Sequence, residues 1–153
     1  MSSKSNMLTT LALTVFRANG ALIAAGDLLT APFGLSSARW QVMGAVALAG
    51  LPLTVPQIAR NMGLTRQAVQ RLIDELARQG MIAVEDNPHH KRSRLVRLTV
   101  PGENAYAAII DRWNGLASEL ATDMDAAQME AAIGSLSQLI AELGANRPSA
   151  RSA

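Results

Sequence analysis

The chain has 153 residues, 49% of them hydrophobic and 17% charged, with a formal net charge of +2. That composition supports a buried core in one or two small domains and excludes a disordered chain. With no cysteine present, disulfide frameworks, thiolate zinc sites, iron–sulfur clusters, thiol redox sensing and cysteine nucleophiles are all excluded.

The N-terminal segment Met7 to Leu29 is rich in Ala and Leu and predicts a long helix ending near Thr30, because Pro32 forbids continuation. Its apolarity implies burial on most sides. Arg17 and Asp27 interrupt it and only Lys4 precedes it, so it is not expected to be a signal peptide, and a cytoplasmic protein is expected. The uncharged run Trp40 to Ala59 has the length of a membrane span but is broken by Gly44, Gly50, Pro52 and Pro56. It reads instead as a helix, a connection and the start of another helix.

That second helix starts at Ser36 as N-cap and runs through Trp40, Met43, Val46 and Ala47 until Gly50 and Pro52 end it. Thr54-Val55-Pro56-Gln57 has the form of a capping box, with Pro56 in the first turn where it removes no intrahelical hydrogen bond. Gly63 closes this short third helix after two turns. Thr65 then caps a fourth helix whose Val69, Leu72, Ile73 and Leu76 share one stripe, and Gly80 stops it. Two short helices around a Gly-containing turn form a helix-turn-helix pattern.

Two alternating segments follow, Met81 to Asp86 and Arg94 to Val100, joined by a connection that begins at Asn87-Pro88. They predict a hairpin tipped by His89-His90-Lys91-Arg92-Ser93-Arg94. A helix-turn-helix followed by a basic-tipped hairpin predicts a winged helix. Beyond it, a fifth helix is capped by Thr99 and carries Tyr106, Ile109, Ile110, Trp113 and Leu120 on one face. A sixth helix from about Asp125 is expected to bury Met129, Ile133, Leu136, Ile140 and Leu143 and to stop at Gly144. Met1 to Ser5 and Arg147 to Ala153 read as frayed ends. The expected fold is therefore mainly α with a winged helix-turn-helix of α+β type, about six helices and a two-stranded wing.

Charge is distributed unevenly along the chain. Between Thr54 and Val100 eight Lys/Arg face four acids, whereas between Pro101 and Asn146 only Arg112 faces seven. A basic middle beside an acidic C-terminal segment suits a nucleic-acid module carried on an assembly module. The chain is accordingly divided into a DNA-binding domain, 35–100, and a helical dimerisation region, 6–34 with 101–146.

If Val69 faces the core, Gln67, Gln70, Arg71, Asp74 and Arg78 lie on the opposite face of the fourth helix. Gln pairs bidentately with adenine and Arg with guanine O6 and N7. Asp74 and Glu75 repel phosphate, which confines base reading to the first turns, around Thr65, Arg66, Gln67, Gln70 and Arg71. Surface ion pairs of Arg71 and Arg78 with Asp74 and Glu75 are the competing reading. Lys91, Arg92 and Arg94 at the wing tip suit the phosphate backbone or a narrow minor groove. The adjacent pair His89 and His90 leaves little for a catalytic triad and makes a poor metal site. These histidines better supply pH-dependent charge near DNA. No metal and no cofactor are expected.

The segment from Leu35 to Gly102 resembles the MarR (multiple antibiotic resistance regulator) family of winged-helix repressors. The matching residues are Leu35-Ser36 with Trp40, Ile58-Ala59, Gly63-Leu64-Thr65 with Val69, Leu76 and Gly80-Met81, and Asn87-Pro88, Arg92, Val96, Leu98-Thr99 and Gly102. About 68 of the 153 residues are covered, a pattern specific as a whole and weak in each piece. The resemblance implies a homodimer joined by its first and last helices on a pseudo-palindromic duplex, released by a small, often aromatic or lipophilic ligand; an aromatic or anionic effector is the partner expected here. Arg92 matches the family's minor-groove arginine, but His90 stands where the family usually places the aspartate that holds it. Candidate ligand residues are Phe16, Trp40, Met43 and Trp113, with Arg39 for an anionic group. The absence of cysteine excludes the family's peroxide-sensing branch.

A helical protein–protein module with a degenerate winged helix is the alternative, favoured by the low net charge. An enzyme is not expected, since no nucleophile–base pair or metal cluster is present.

Overall fold

A computed structural model describes residues 3–145. The elements in chain order are α1 (Ser3–Thr30), a 3₁₀ turn (Ala31–Phe33), α2 (Ser37–Ala49), β1 (Leu53–Thr54), α3 (Val55–Met62), α4 (Arg66–Arg78), β2 (Ile82–Glu85), β3 (Leu95–Leu98), α5 (Val100–Ala121) and α6 (Ala126–Ala145). The chain divides into two units, Met1–Trp113 and Asn114–Ala153, with the boundary inside α5.

In the first unit, local capping chemistry sets the helix ends. Ser36 Oγ accepts from the Arg39 backbone N–H at the start of α2. The expected capping box is present on α3: Thr54 Oγ1 accepts from Gln57 N, and Gln57 Oε1 accepts from Thr54 N at 2.8 Å. α3 ends in a Schellman arrangement, with Leu64 N donating to Ala59 O at 3.0 Å and Gly63 N to Arg60 O at 3.3 Å. Gly63 sits at φ 66°, a left-handed conformation costly for residues with a Cβ, and this lets the chain turn tightly into α4. Thr65 Oγ1 accepts from Ala68 N at 3.1 Å to start that helix.

The core lies where these helices meet the sheet. Val42 and Met43 of α2, Ile58 of α3, Val69, Ile73 and Leu76 of α4, Val96 of β3 and Ile109 of α5 are fully buried. Each such side chain contributes about 1.5–3 kcal/mol relative to exposure. The wing strands form as expected, but the sheet has three strands in the order β1-β3-β2. Leu53 pairs with Val96 and Thr54 with Leu95. A strand of two residues has no periodicity to read; its partner lies some forty positions away.

Helix α1 ends at Thr30 as anticipated, with Pro32 in the 3₁₀ turn. Its burial differs from expectation. Only Gly26 and Thr30 are buried, while Leu13, Phe16 and Leu28 are 59%, 73% and 77% exposed. Apolar patterning marks a face that needs cover, and the described residues of its own unit do not supply it. By length and composition α1 suffices to cross a membrane. Its end is nonetheless built into the domain: the Asp27 carboxylate accepts from Ser37 N at 2.8 Å and Thr30 Oγ1 donates to Gly26 O at 2.8 Å.

In the second unit, Asp125 Oδ1 accepts from Gln128 N at 2.8 Å and caps α6. Two expectations are corrected here. The apolar residues of α6 are not buried, with Ile133, Ile140 and Leu143 all exposed, and the helix continues through Gly144 to Ala145. At the N-terminus, residues 3–5 are helical rather than frayed; the segment Arg147 to Ala153 lies outside the described residues.

Candidate nucleic-acid interface

With Val69, Leu72, Ile73 and Leu76 turned into the core, helix geometry presents Arg66, Gln67, Gln70, Arg71, Asp74 and Arg78 to solvent. Between this face and the wing runs a groove of about 660 Å³. Arg66, Gln67, Gln70 and Asp74 line one wall and Arg92, Ser93 and Arg94 the other. The structure thus brings together Arg66, Gln67, Gln70, Arg92 and Arg94 of the DNA residues predicted from sequence. Thr65 caps the helix, and Arg71 and Lys91 are exposed outside the groove.

Gln70 Nε2 donates to Asp74 Oδ1 at 2.8 Å, which fixes the amide and leaves its carbonyl oxygen free. The surface ion pairs of the competing reading for Arg71 and Arg78 do not form: Arg78 Nε donates to the Asp74 backbone carbonyl at 3.2 Å, and Glu75 instead approaches Arg39 Nε at 4.0 Å.

The wing is braced at its base. Arg94 donates to the Val84 carbonyl at 3.0 Å and pairs with Asp86 at 3.6 Å, and Arg97 pairs with Glu85. At the tip, His90 N bonds to Asn87 O and Ser93 N to His90 O, both at 3.2 Å, forming successive turns. Lys91 and Arg92 make no hydrogen bond or ion pair with any described residue. The carboxylate nearest in sequence, Asp86, engages Arg94, so among the described residues nothing takes the place of the missing aspartate beside Arg92.

A second cleft, of about 620 Å³, opens between α2, the end of α3 and α5. Trp40, Gly44 and Leu48 form one side, Asn61 and Met62 another, and Tyr106 the third. Of the residues named from sequence for a ligand, Trp40 lines it, and Trp113 packs on Trp40 with ring centroids 6.1 Å apart at 58°. Met43 is fully buried in the core and Phe16 is exposed on α1. Arg39 is engaged elsewhere, with its Nε donating to Ser36 Oγ at 3.2 Å and its Nη1 to Gln79 Oε1 at 2.9 Å. Tyr106 and Asn61 were not identified as ligand residues from sequence, although Tyr106 shares a helix face with Trp113. Burial pushes the Tyr106 phenol pKa up.

The MarR family profile matches residues 33–93, from the 3₁₀ turn through the wing tip. In fold, the chain is similar to a crystallised MarR-family transcription regulator, with a TM-score of 0.79, 21% identity and 94% of this chain and 97% of the other covered. The chain belongs to the MarR family. A relative across almost the whole length is an uncharacterised protein of Mycobacterium tuberculosis, 37% identical over 144 residues and covering 94% of this chain and 99% of that protein. The transcriptional activatory protein BadR of Rhodopseudomonas palustris is 31% identical over 78 residues, 50% of this chain and 45% of BadR. Two further MarR-type folds match with ligands present. The M. tuberculosis regulator MosR in complex with DNA has a TM-score of 0.71 and 22% identity, covering 86% of this chain and 96% of MosR. Staphylococcus aureus MarR with salicylate and kanamycin has a TM-score of 0.76 and 18% identity, covering 95% of this chain and 98% of that one. The MarR architecture thus accounts for the winged helix, the six helices and the three-stranded sheet of this chain.

Proposed function

We propose that this MarR-family chain is a homodimeric, non-enzymatic transcription regulator of the cytoplasm that binds a pseudo-palindromic operator and is released by a small-molecule effector. The observation that carries the reading is the groove in which Arg66, Gln67 and Gln70 of α4 face Arg92 and Arg94 of the wing. A helix in the major groove reads base edges while the wing cations hold the backbone or the adjacent minor groove. MosR, a protein of the same fold, is known bound to DNA.

Dimerisation through 6–34 and 101–146 is supported by the exposed apolar residues of α1 and α6, which water does not leave uncovered at this density. A two-fold dimer places two recognition helices about 34 Å apart, one turn of duplex. Repression is the reading adopted, because a dimer seated on a promoter needs no activating contact to block transcription. The Trp40–Tyr106 cleft is the effector site within the described residues, and the salicylate complex of S. aureus MarR supports a small aromatic ligand.

Electrophoretic binding of the full-length protein to DNA upstream of its own gene, across a salt series, tests the reading. A single dimer-sized complex, weakening steeply with salt and preferred over a scrambled duplex, is expected. Equal retardation of scrambled DNA, or none of either, contradicts it.

A further inference from the structure

We propose that the cleft between α2, α3 and α5 selects uncharged, planar aromatic ligands that carry a hydrogen-bonding group, and discriminates against aromatic carboxylates. The inference rests on the reading of this cleft as the effector site and specifies the chemistry it accepts.

Its volume of about 620 Å³ lies in the range of small-molecule pockets. No Lys, Arg, His, Asp or Glu is among its lining residues. The neighbouring cation, Arg39, is one residue from Trp40 but is occupied by Ser36, Gln79 and Glu75. One wall is aromatic and stiffened from behind, Trp40 being backed by Trp113 at 6.1 Å. Such a wall favours a flat ring in offset or tilted stacking.

The polar groups of the cleft are neutral and available. The Tyr106 hydroxyl, the Asn61 amide and the Trp40 indole N–H make no hydrogen bond with any described residue, and Gln41 commits only its Nε2, to Ser37 Oγ at 3.2 Å. A Cβ at Gly44 would stand in ordinary contact with the Tyr106 ring and hydroxyl, so the glycine leaves room beside the phenol, whose pKa burial pushes up. A ligand amide, hydroxyl or ring N–H entering here exchanges water for these partners at little loss. A carboxylate gives up its hydration with no cation among the described lining residues to compensate.

The test compares salicylamide with salicylate, and indole with indole-3-carboxylate, on the full-length protein near neutral pH. Binding is followed by the indole N–H resonance of Trp40; the chain has two tryptophans, and Trp113→Phe assigns the pair. Each uncharged probe is expected to bind at least about tenfold more tightly than its carboxylate, a factor worth about 1.4 kcal/mol. In Leu48→Arg, a substitution at an exposed lining position, the preference is expected to narrow or invert. Carboxylates that shift Trp40 with equal or greater affinity overturn the proposed selectivity and leave the effector site standing. An unchanged preference in Leu48→Arg also overturns it. If no probe moves Trp40, the cleft is not an effector site at all, while operator binding is judged separately by the electrophoretic experiment.

Discussion

Arg39 on α2 donates through Nη1 to Gln79 Oε1 at 2.9 Å, and Gln79 Nε2 in turn donates to the Gly34 carbonyl at 2.7 Å. Two residues far from Gln79 in the chain, Gly34 in the α1–α2 corner and Arg39 in α2, thereby hold the C-terminal end of α4. Arg39 also directly precedes Trp40, the aromatic wall of the cleft. In a double-mutant cycle of Arg39→Ala and Gln79→Ala, urea unfolding should reveal a coupling of about 0.5–1 kcal/mol. Strict additivity would show that the bond contributes nothing to holding α4.

Gly102 at the start of α5 packs directly on the Met81 carbonyl, and a Cβ there collides with backbone that cannot swing aside. Gly102→Ala is expected to destabilise the chain by about 1–3 kcal/mol, read as a lower urea midpoint at unchanged slope. Gly115→Ala, where a Cβ meets nothing within 4 Å, is the control. It should be neutral or stabilising by up to about 1 kcal/mol, as helix propensity dictates.

The residues most readable from sequence are those whose interactions are local. The caps at Ser36, Thr54 and Thr65 bond to backbone three positions on, and the stripe Val69, Leu72, Ile73 and Leu76 repeats with the helix. The resemblance to the MarR family, carried by Gly63-Leu64-Thr65, Gly80-Met81 and Gly102, also located the wing. Contacts between distant segments were not readable: β1 exists only through β3, and the Arg39–Gln79 bond diverts a side chain that sequence alone offered to an anion. Apolar spacing on α1 and α6 correctly marks sticky faces but does not say what covers them. Gly144 lies within α6, which includes Ala145.

At the wing, Arg92 is uncommitted while Arg94 is tied to Val84 and Asp86. Arg92→Ala should therefore reduce the magnitude of the slope of log K against log salt by about 0.9 for each phosphate that the side chain neutralises. Arg94→Ala should lower affinity through a loosened wing base as well as through the missing charge. An unchanged slope in Arg92→Ala removes the wing tip from the DNA interface.

Removal of the chain after Ala121 deletes α6 and with it part of the apolar surface assigned to assembly. Sedimentation of that truncated protein should give a monomer or aggregate where the full chain gives a dimer. A stable, folded dimer would exclude α6 from the interface.

The central claim is that the first turns of α4 read bases rather than merely bind charge. Fluorescence anisotropy with the operator and with a scrambled duplex, for the full chain, Gln67→Ala and Arg71→Ala, tests it most directly. Each substitution is expected to weaken operator binding by about 1–3 kcal/mol and to leave scrambled DNA nearly unaffected for Gln67→Ala. Equal losses on both duplexes would contradict base reading by this helix.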